Sequence, residues 1–276
     1  MSGQSKDVFT DSGRDILQDQ KIDNDVIDEK LINKLFVRLV SKGKTFRNVD
    51  FKYGIFDQAY LRNCVFDSCD FTGCRFTNTN LTGSVFDGCK FEYATFEKTT
   101  IDSDVLLSNC PGPENLKQKF ARTLRTNYQS LGDAQSANLA VGIELKATEE
   151  HLRKAWKSKE GYYRKKYKGW KKVKAFGQWL EFKTLDFIWG NGESAWKLAR
   201  TALYMNIVIA FNDAFRHKDY LLVKTYLESL WLAPQIFLGV MSPDNYSGGW
   251  LATIFFVRLV IFGFFMSIII KRFNRR

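Results

Sequence analysis

Histidine is almost missing from this chain: among 276 residues only His151 and His217 carry an imidazole. Triad hydrolases and most zinc centres place one or more such rings among partners, so this chemistry is not expected. His217, in Arg216-His217-Lys218-Asp219, reads as a solvated residue. A phosphate-binding loop is lacking too. Gly190-Asn191-Gly192 follows no strand and leads into no Gly-Lys-Ser/Thr run, and Glu193-Ser194 reads as a helix start. No apolar run follows Met1, so no secretory signal is expected. Only four prolines occur, two of them in Pro111-Gly112-Pro113, a breaker that marks a domain boundary. Cysteine is sparse but patterned. Cys64, Cys69 and Cys74 are five apart, Cys89 keeps their register, and only Cys110 stands outside it. That spacing matches no zinc signature and suits small buried side chains. Free thiols without a signal place this part in a reducing cytoplasm. Cys110 has no basic neighbour to activate it. The chain therefore reads as a non-enzyme with no cofactor and no metal.

What is present begins with a period of five. Counting from Phe46 gives Phe51, Phe56, Leu61, Phe66, Phe71, Phe76, Leu81, Phe86, Phe91, Phe96 and Ile101 without a break. Two residues before each stands Lys44 and then Val49, Gly54, Ala59, Cys64, Cys69, Cys74, Thr79, Ser84, Cys89, Ala94 and Thr99. Five fits neither the 3.6 of a helix nor the 2 of a strand. A chain that turns a corner every five residues, with one large and one small side chain inward per side, satisfies it.

This pattern resembles the pentapeptide-repeat family, with Phe or Leu at the centre and a small residue two before it. The resemblance implies a β-solenoid: a right-handed quadrilateral β-helix with four repeats per coil, hence about three coils over residues 44–105. Its open ends would need caps. Some members mimic DNA, but residues 46–101 hold six Lys/Arg against seven Asp/Glu. A short, near-neutral repeat does not suit that role.

The flanks read as follows. Residues 1–20 are polar and aperiodic, a disordered tail. Residues 21–43 read as a capping helix, with Val26, Ile27, Leu31, Ile32, Leu35, Phe36 and Leu39 on one face. Residues 113–190 hold a helical hairpin (Glu114 to about Tyr128, Ala134 to about Ser158, turning at Leu131-Gly132-Asp133) and a basic amphipathic helix. Tyr128, Gly132 and Ala137 keep the spacing of one tetratricopeptide-like hairpin, which reads as a spacer. Residues 151–200 hold fourteen Lys/Arg against four Asp/Glu, so one segment carries most of the +11 net charge. Within it Tyr163, Tyr167, Trp170, Val173, Phe176, Trp179 and Leu180 follow helical spacing, with Lys165, Lys166, Lys168, Lys171, Lys172 and Lys174 between them. Such a helix suits anionic lipid headgroups or, through phosphate neutralisation, nucleic acid.

The C-terminal part chooses lipid. Trp250 to Ile270 is apolar except for Thr253, Arg258 and Ser267, and Lys271-Arg-Phe-Asn-Arg-Arg276 follows. About twenty such residues cross a bilayer. The basic tail and the basic segment before residue 200 both belong on the cytoplasmic side, which requires a second crossing. Residues 191–276 thus read as a two-span membrane domain, with spans at about 196–215 and 250–270 and a re-entrant segment at about 220–241. Lys197 and Arg200 in the first span would snorkel.

This order resembles the two-span pore domain of potassium-channel-like proteins. The matching landmarks are Trp189-Gly190-Asn191-Gly192-Glu193, Tyr226-Leu-Glu-Ser-Leu-Trp231, Gly263 and the terminal basic run. Where that family has its Thr-Val-Gly-Tyr-Gly-type filter, this chain has Ile236-Phe-Leu-Gly-Val-Met-Ser242, with one glycine. The resemblance implies an oligomeric pore with a cytoplasmic repeat that senses or binds a partner. Glu228, Leu238, Gly239, Val240 and Arg258 are the pore candidates, and Arg258 is expected to pair with Glu228 or Asp213. The alternative is a non-conducting membrane scaffold whose repeat binds a protein. Either way the expectation is a multi-pass inner-membrane homo-oligomer with both termini and the repeat cytoplasmic, and no nucleic-acid partner.

Overall fold

The structure is a computed structural model that describes residues 13–217 and 222–274. The chain divides into two compact units, one ending at Lys154 and one beginning at Ala155.

In the first unit the chain turns every five residues. Its short strands are Ile16–Gln18 (β1), Val26–Ile27 (β2), Leu35–Val37 (β3), Val40–Lys42 (β4), Thr45–Arg47 (β5), Ile55–Asp57 (β6), Tyr60–Arg62 (β7), Val65–Asp67 (β8), Arg75–Thr77 (β9), Val85–Asp87 (β10) and Thr95–Glu97 (β11). Each pairs in parallel with the strand one coil away. One side runs β1-β3-β6-β9-β11 and aligns Leu17, Phe36, Phe56, Phe76 and Phe96. A second runs β2-β5-β8-β10 and aligns Val26, Phe46, Phe66 and Phe86. A third pairs β4 with β7, and the fourth is a turn joined through Lys30, Asp50, Asp70 and Lys90.

The corners have a backbone cause. The residue two after each inward side chain takes a left-handed φ, as at Asn48 (52°), Asn63 (55°), Gly73 (71°) and Asn78 (49°). Asn and Gly tolerate that region best. Inside, each phenylalanine stacks on the one twenty residues away, with centroids 4.6 to 5.1 Å apart. That distance is the strand spacing itself. Small-register side chains then bond the coil before them: Cys74 Sγ lies 2.9 Å from the Phe51 carbonyl, and Thr79 Oγ1 donates to Phe56 at 3.1 Å. Thiols here do the work of small hydroxyls.

Two expectations are corrected. There is no capping helix at 21–43, because β2, β3 and β4 occupy it. Of the tail, residues 1–12 lie outside the described residues, and 13–20 contain β1 paired to β3. The solenoid therefore makes about four turns, not three. Val26, Leu31 and Phe36 are solenoid positions five apart, but Ile27, Leu31 and Leu35, four apart, fall on one helix face and masked that period. Three irregularities hid them. The corner from Ile22 to Val26 is one residue short. Glu29 and Lys34 stand where small residues belong. Leu39, 2% exposed, and Ser41, 1% exposed, exchange the large and small roles within one side.

Helices close the other end. Val105–Ser108 (α1) is followed by the hairpin Glu114–Ser130 (α2) and Ala134–Lys157 (α3). Phe120 continues the aromatic stack, 5.5 Å from Phe91 and 6.1 Å from Phe96. The last coil's main-chain groups are met by side chains. Asn127 Oδ1 accepts from Thr99 N–H at 2.8 Å, and its Nδ2 donates to the Thr99 carbonyl at 2.7 Å. Asn109 likewise accepts from Cys89 N–H and donates to Phe86, both at 3.0 Å. These amides imitate a further strand.

The second unit holds Gly161–Lys166 (α4), Trp170–Trp189 (α5), Ala195–His217 (α6), Val223–Leu238 (α7) and Gly248–Asn274 (α8). The basic segment is thus two helices rather than one. The break falls at Tyr167 to Gly169, where Gly169 takes φ +53°. The segment read as re-entrant contains one continuous helix, α7, with Pro234 inside it. Ile209, Ala210, Ala233, Ile236, Phe237, Tyr246 and Ile254 form the core joining α6, α7 and α8.

Candidate functional site

In the solenoid, Phe46, Phe51, Phe56, Leu61, Phe66, Phe71, Phe76, Leu81, Phe86, Phe91, Phe96 and Ile101 all lie buried in one core. The thiols beside them are buried as well, and burial pushes the Cys74 thiol up to about 12. A thiol so placed is inert. The sides of the solenoid are polar. Lys52 lies 3.1 Å from Asp50 and 3.3 Å from Asp70, bridging successive coils. Its ammonium is held above the usual lysine range, first by the hydrogen bond to Asp50 and then by the Asp70 charge.

In the second unit the helix ends define a direction. Lys271 Nζ, near the end of α8, reaches the Gly192 carbonyl at 3.3 Å and Glu193 at 3.5 Å, beside the start of α6. At the other end, Asp213 of α6 accepts from Ser229 of α7 at 2.7 Å and from Tyr246, just before α8, at 3.2 Å. So α6 leads away from the Gly192 corner and α8 returns to it. Lys197 and Arg200, read as snorkelling residues, have protein partners. Lys197 grips Asp186 at 2.8 Å, and Arg200 donates to the Phe187 carbonyl at 2.7 Å, fixing the α5–α6 corner.

Of the five pore candidates, Gly239 and Arg258 meet. Gly239 ends α7 with φ +74°, and a Cβ there would run into Arg258 Nη1. Glu228 lies elsewhere, 3.9 Å from Lys224 on the same helix. Leu238 and Val240 face outward, 64% and 78% exposed. Arg258 therefore pairs with neither Glu228 nor Asp213; its neighbour is the Phe255 ring, 4.8 Å away. The sequence places Ile236 to Ser242 at a filter, but its first three residues finish a helix that Gly239 caps.

The six lysines at 165, 166, 168, 171, 172 and 174 are all exposed. Beside them Trp170, Val173, Phe176 and Leu180 are exposed too, while Ala175 turns inward against Tyr163 and Trp156. Lys166 is held above the usual lysine range by its hydrogen bond with Tyr162. One helix among the described residues is long and apolar enough to cross a membrane: Gly248–Lys271, mean hydropathy 2.5, with only 11% of its most apolar window buried. Outward apolar residues continue on α6 (Leu203, Val208, Phe211, Phe215) and on α7 (Val223, Leu227, Trp231).

Sequence reading overlooked Asn109 and Asn127. Their sole signal is an asparagine just past the repeat and another inside a helix, where it is a poor helix former. The early coil did leave a signal, since Asp28, Asn33 and Gly43 keep the left-handed register of Asn48.

Short parallel sides stacked into closed coils define a β-solenoid. Within that class, residues 45–83 match a family model described as pentapeptide repeats (8 copies), and residues 66–111 match a second, described as pentapeptide repeats (9 copies). Residues 45–111 of this chain therefore carry pentapeptide repeats. Two solved structures of trypsin-treated QnrB1 variants, described as a plasmid-mediated fluoroquinolone resistance protein, are similar to it. One shares 18% identity over 33% of this chain and 64% of that chain, with a TM-score of 0.19. The other shares 22% over 32% of this chain and 54% of that chain, with a TM-score of 0.15. The match thus spans less than two thirds of either. No curated protein matches the chain.

Proposed function

We propose that this protein is a membrane-anchored scaffold: a cytoplasmic solenoid that binds a protein partner, held to an anionic bilayer surface by the lysine-rich helices and to its interior by α6 and α8. It performs no catalysis. The observation that carries this reading is the return path of α8. Its apolar surface is left uncovered, and its basic end comes back to the Gly192 corner from which α6 departs. Two antiparallel crossings put the solenoid and the tail on one side, where the positive-inside rule wants both. The capped end of α7 offers no row of carbonyls to a passing ion, which favours a scaffold over a channel. A conducting homo-oligomer is the second reading, favoured by the buried Asp213 carboxylate among the helices; planar-bilayer recording separates the two.

Topology is tested by cysteine labelling in a Cys110→Ser background, since the remaining thiols are buried. Ser247→Cys, between the crossings, should react with a membrane-impermeant maleimide in intact cells. Ser68→Cys, on the solenoid, should react only after the membrane is opened. Labelling of both in intact cells, or of neither, contradicts the two-crossing arrangement.

A further inference from the structure

We propose that the space between α7 and α8 binds an anionic lipid, its charged head group on Arg258 and its chain along the apolar walls; this rests on the membrane reading above. Arg258 is half-buried, and among the described residues it makes no ion pair and no hydrogen bond, its guanidinium lying over the Phe255 ring and close against Gly239. A guanidinium carries five donors and stays charged. Left unpaired at membrane depth it is costly, so such residues face a partner or a cavity.

A cavity is there. It has a volume of about 360 Å³, and Arg258 shares its wall with Gly239, Met241, Ser242, Leu251 and Ile254. Gly239 makes the room. A methyl group on it would strike Nη1 and stand 3.1 Å from Cζ, so any larger residue displaces the guanidinium. The end of α7 also presents the negative pole of its helix to the cation, which helps hold it charged and in place.

The walls decide the class of ligand. Apart from Arg258 and Ser242 they are apolar, so an inorganic anion would satisfy the charge and leave the walls bare. An amphiphile with one phosphate or carboxylate matches both. The exposed stripe of Phe256, Leu259 and Phe262 on α8 offers its chain a path to the bilayer. Bidentate pairing suits either head group.

The test uses the full chain, recovered from membranes in mild detergent and mixed with defined lipids, with bound lipid counted by native mass spectrometry. Wild type should retain phosphatidylglycerol over phosphatidylcholine. Arg258→Gln should lower that retention by about tenfold, the value of one charge-assisted contact. Leu251→Trp, which fills the cavity and leaves the arginine, should do the same. It decides the matter if Arg258→Gln fails to insert. An oleate arm tells a carboxylate head group from a phosphate one, and retention of either supports the site. Equal retention by wild type and Leu251→Trp overturns the proposal, as does displacement of the lipid by millimolar inorganic phosphate. Recovery of the chain without detergent would instead refute the membrane reading, and is seen before any lipid is counted.

Discussion

Phe71 touches six other phenylalanine rings: Phe51 and Phe91 stacked above and below it, and Phe56, Phe66, Phe76 and Phe86 at its edges. No other side chain fills that space, and the stacked coils leave little freedom to collapse. Phe71→Ala should therefore cost about 3 to 5 kcal/mol. A urea titration of residues 1–154 checks this, and an unchanged midpoint would remove Phe71 from the centre of the stack. At this scale the sequence was legible wherever large and small residues kept their order. It failed at Leu39 and Ser41, which fill the same volume in reversed order, and at Glu29 and Lys34, whose long side chains hide small-register positions. The left-handed register, with Asp28 and Asn33 in phase, was the surviving clue.

At the scale of elements, α2 covers the solenoid's C-terminal edge and Asn127 satisfies its main chain at Thr99. Asn127→Ala leaves the buried Thr99 N–H and C=O without those partners, an expected loss of about 1 to 3 kcal/mol. Measured by the same titration, a loss within error would show that packing alone makes the cap. Hairpin helices were readable from their periodicity and the Pro-Gly-Pro stop. The asparagine that replaces a strand was not, because its role exists only once Thr99 is beside it. The lysine-rich helices make a separate claim. A peptide of residues 161–189 should bind vesicles containing anionic lipid and release most of them between about 0.1 and 1 M salt, since exposed charges are screened over a few ångströms there. Binding indifferent to salt and to lipid charge would contradict the headgroup role.

For the whole molecule, the sequence showed one of the two proposed crossings plainly and the other poorly. Trp250 to Ile270 announces itself by length and apolarity. Residues 196–215 contain Lys197, Arg200 and Asp213, whose charges look prohibitive until the structure supplies Asp186, the Phe187 carbonyl and Ser229 as partners. The pore candidates were scattered for the opposite reason: sequence proximity to a family landmark does not fix which way a helix face turns, and only Gly239 and Arg258 share a site. The proposed anchor requires α8, with α6, to be held by lipid. Membranes bearing the full chain, washed in high salt and then in alkaline carbonate, test this most directly. The chain should stay in the pellet through both washes and leave with detergent, while residues 1–154 alone stay in the supernatant. Release of the full chain by salt or carbonate would contradict the anchor and the proposed function with it.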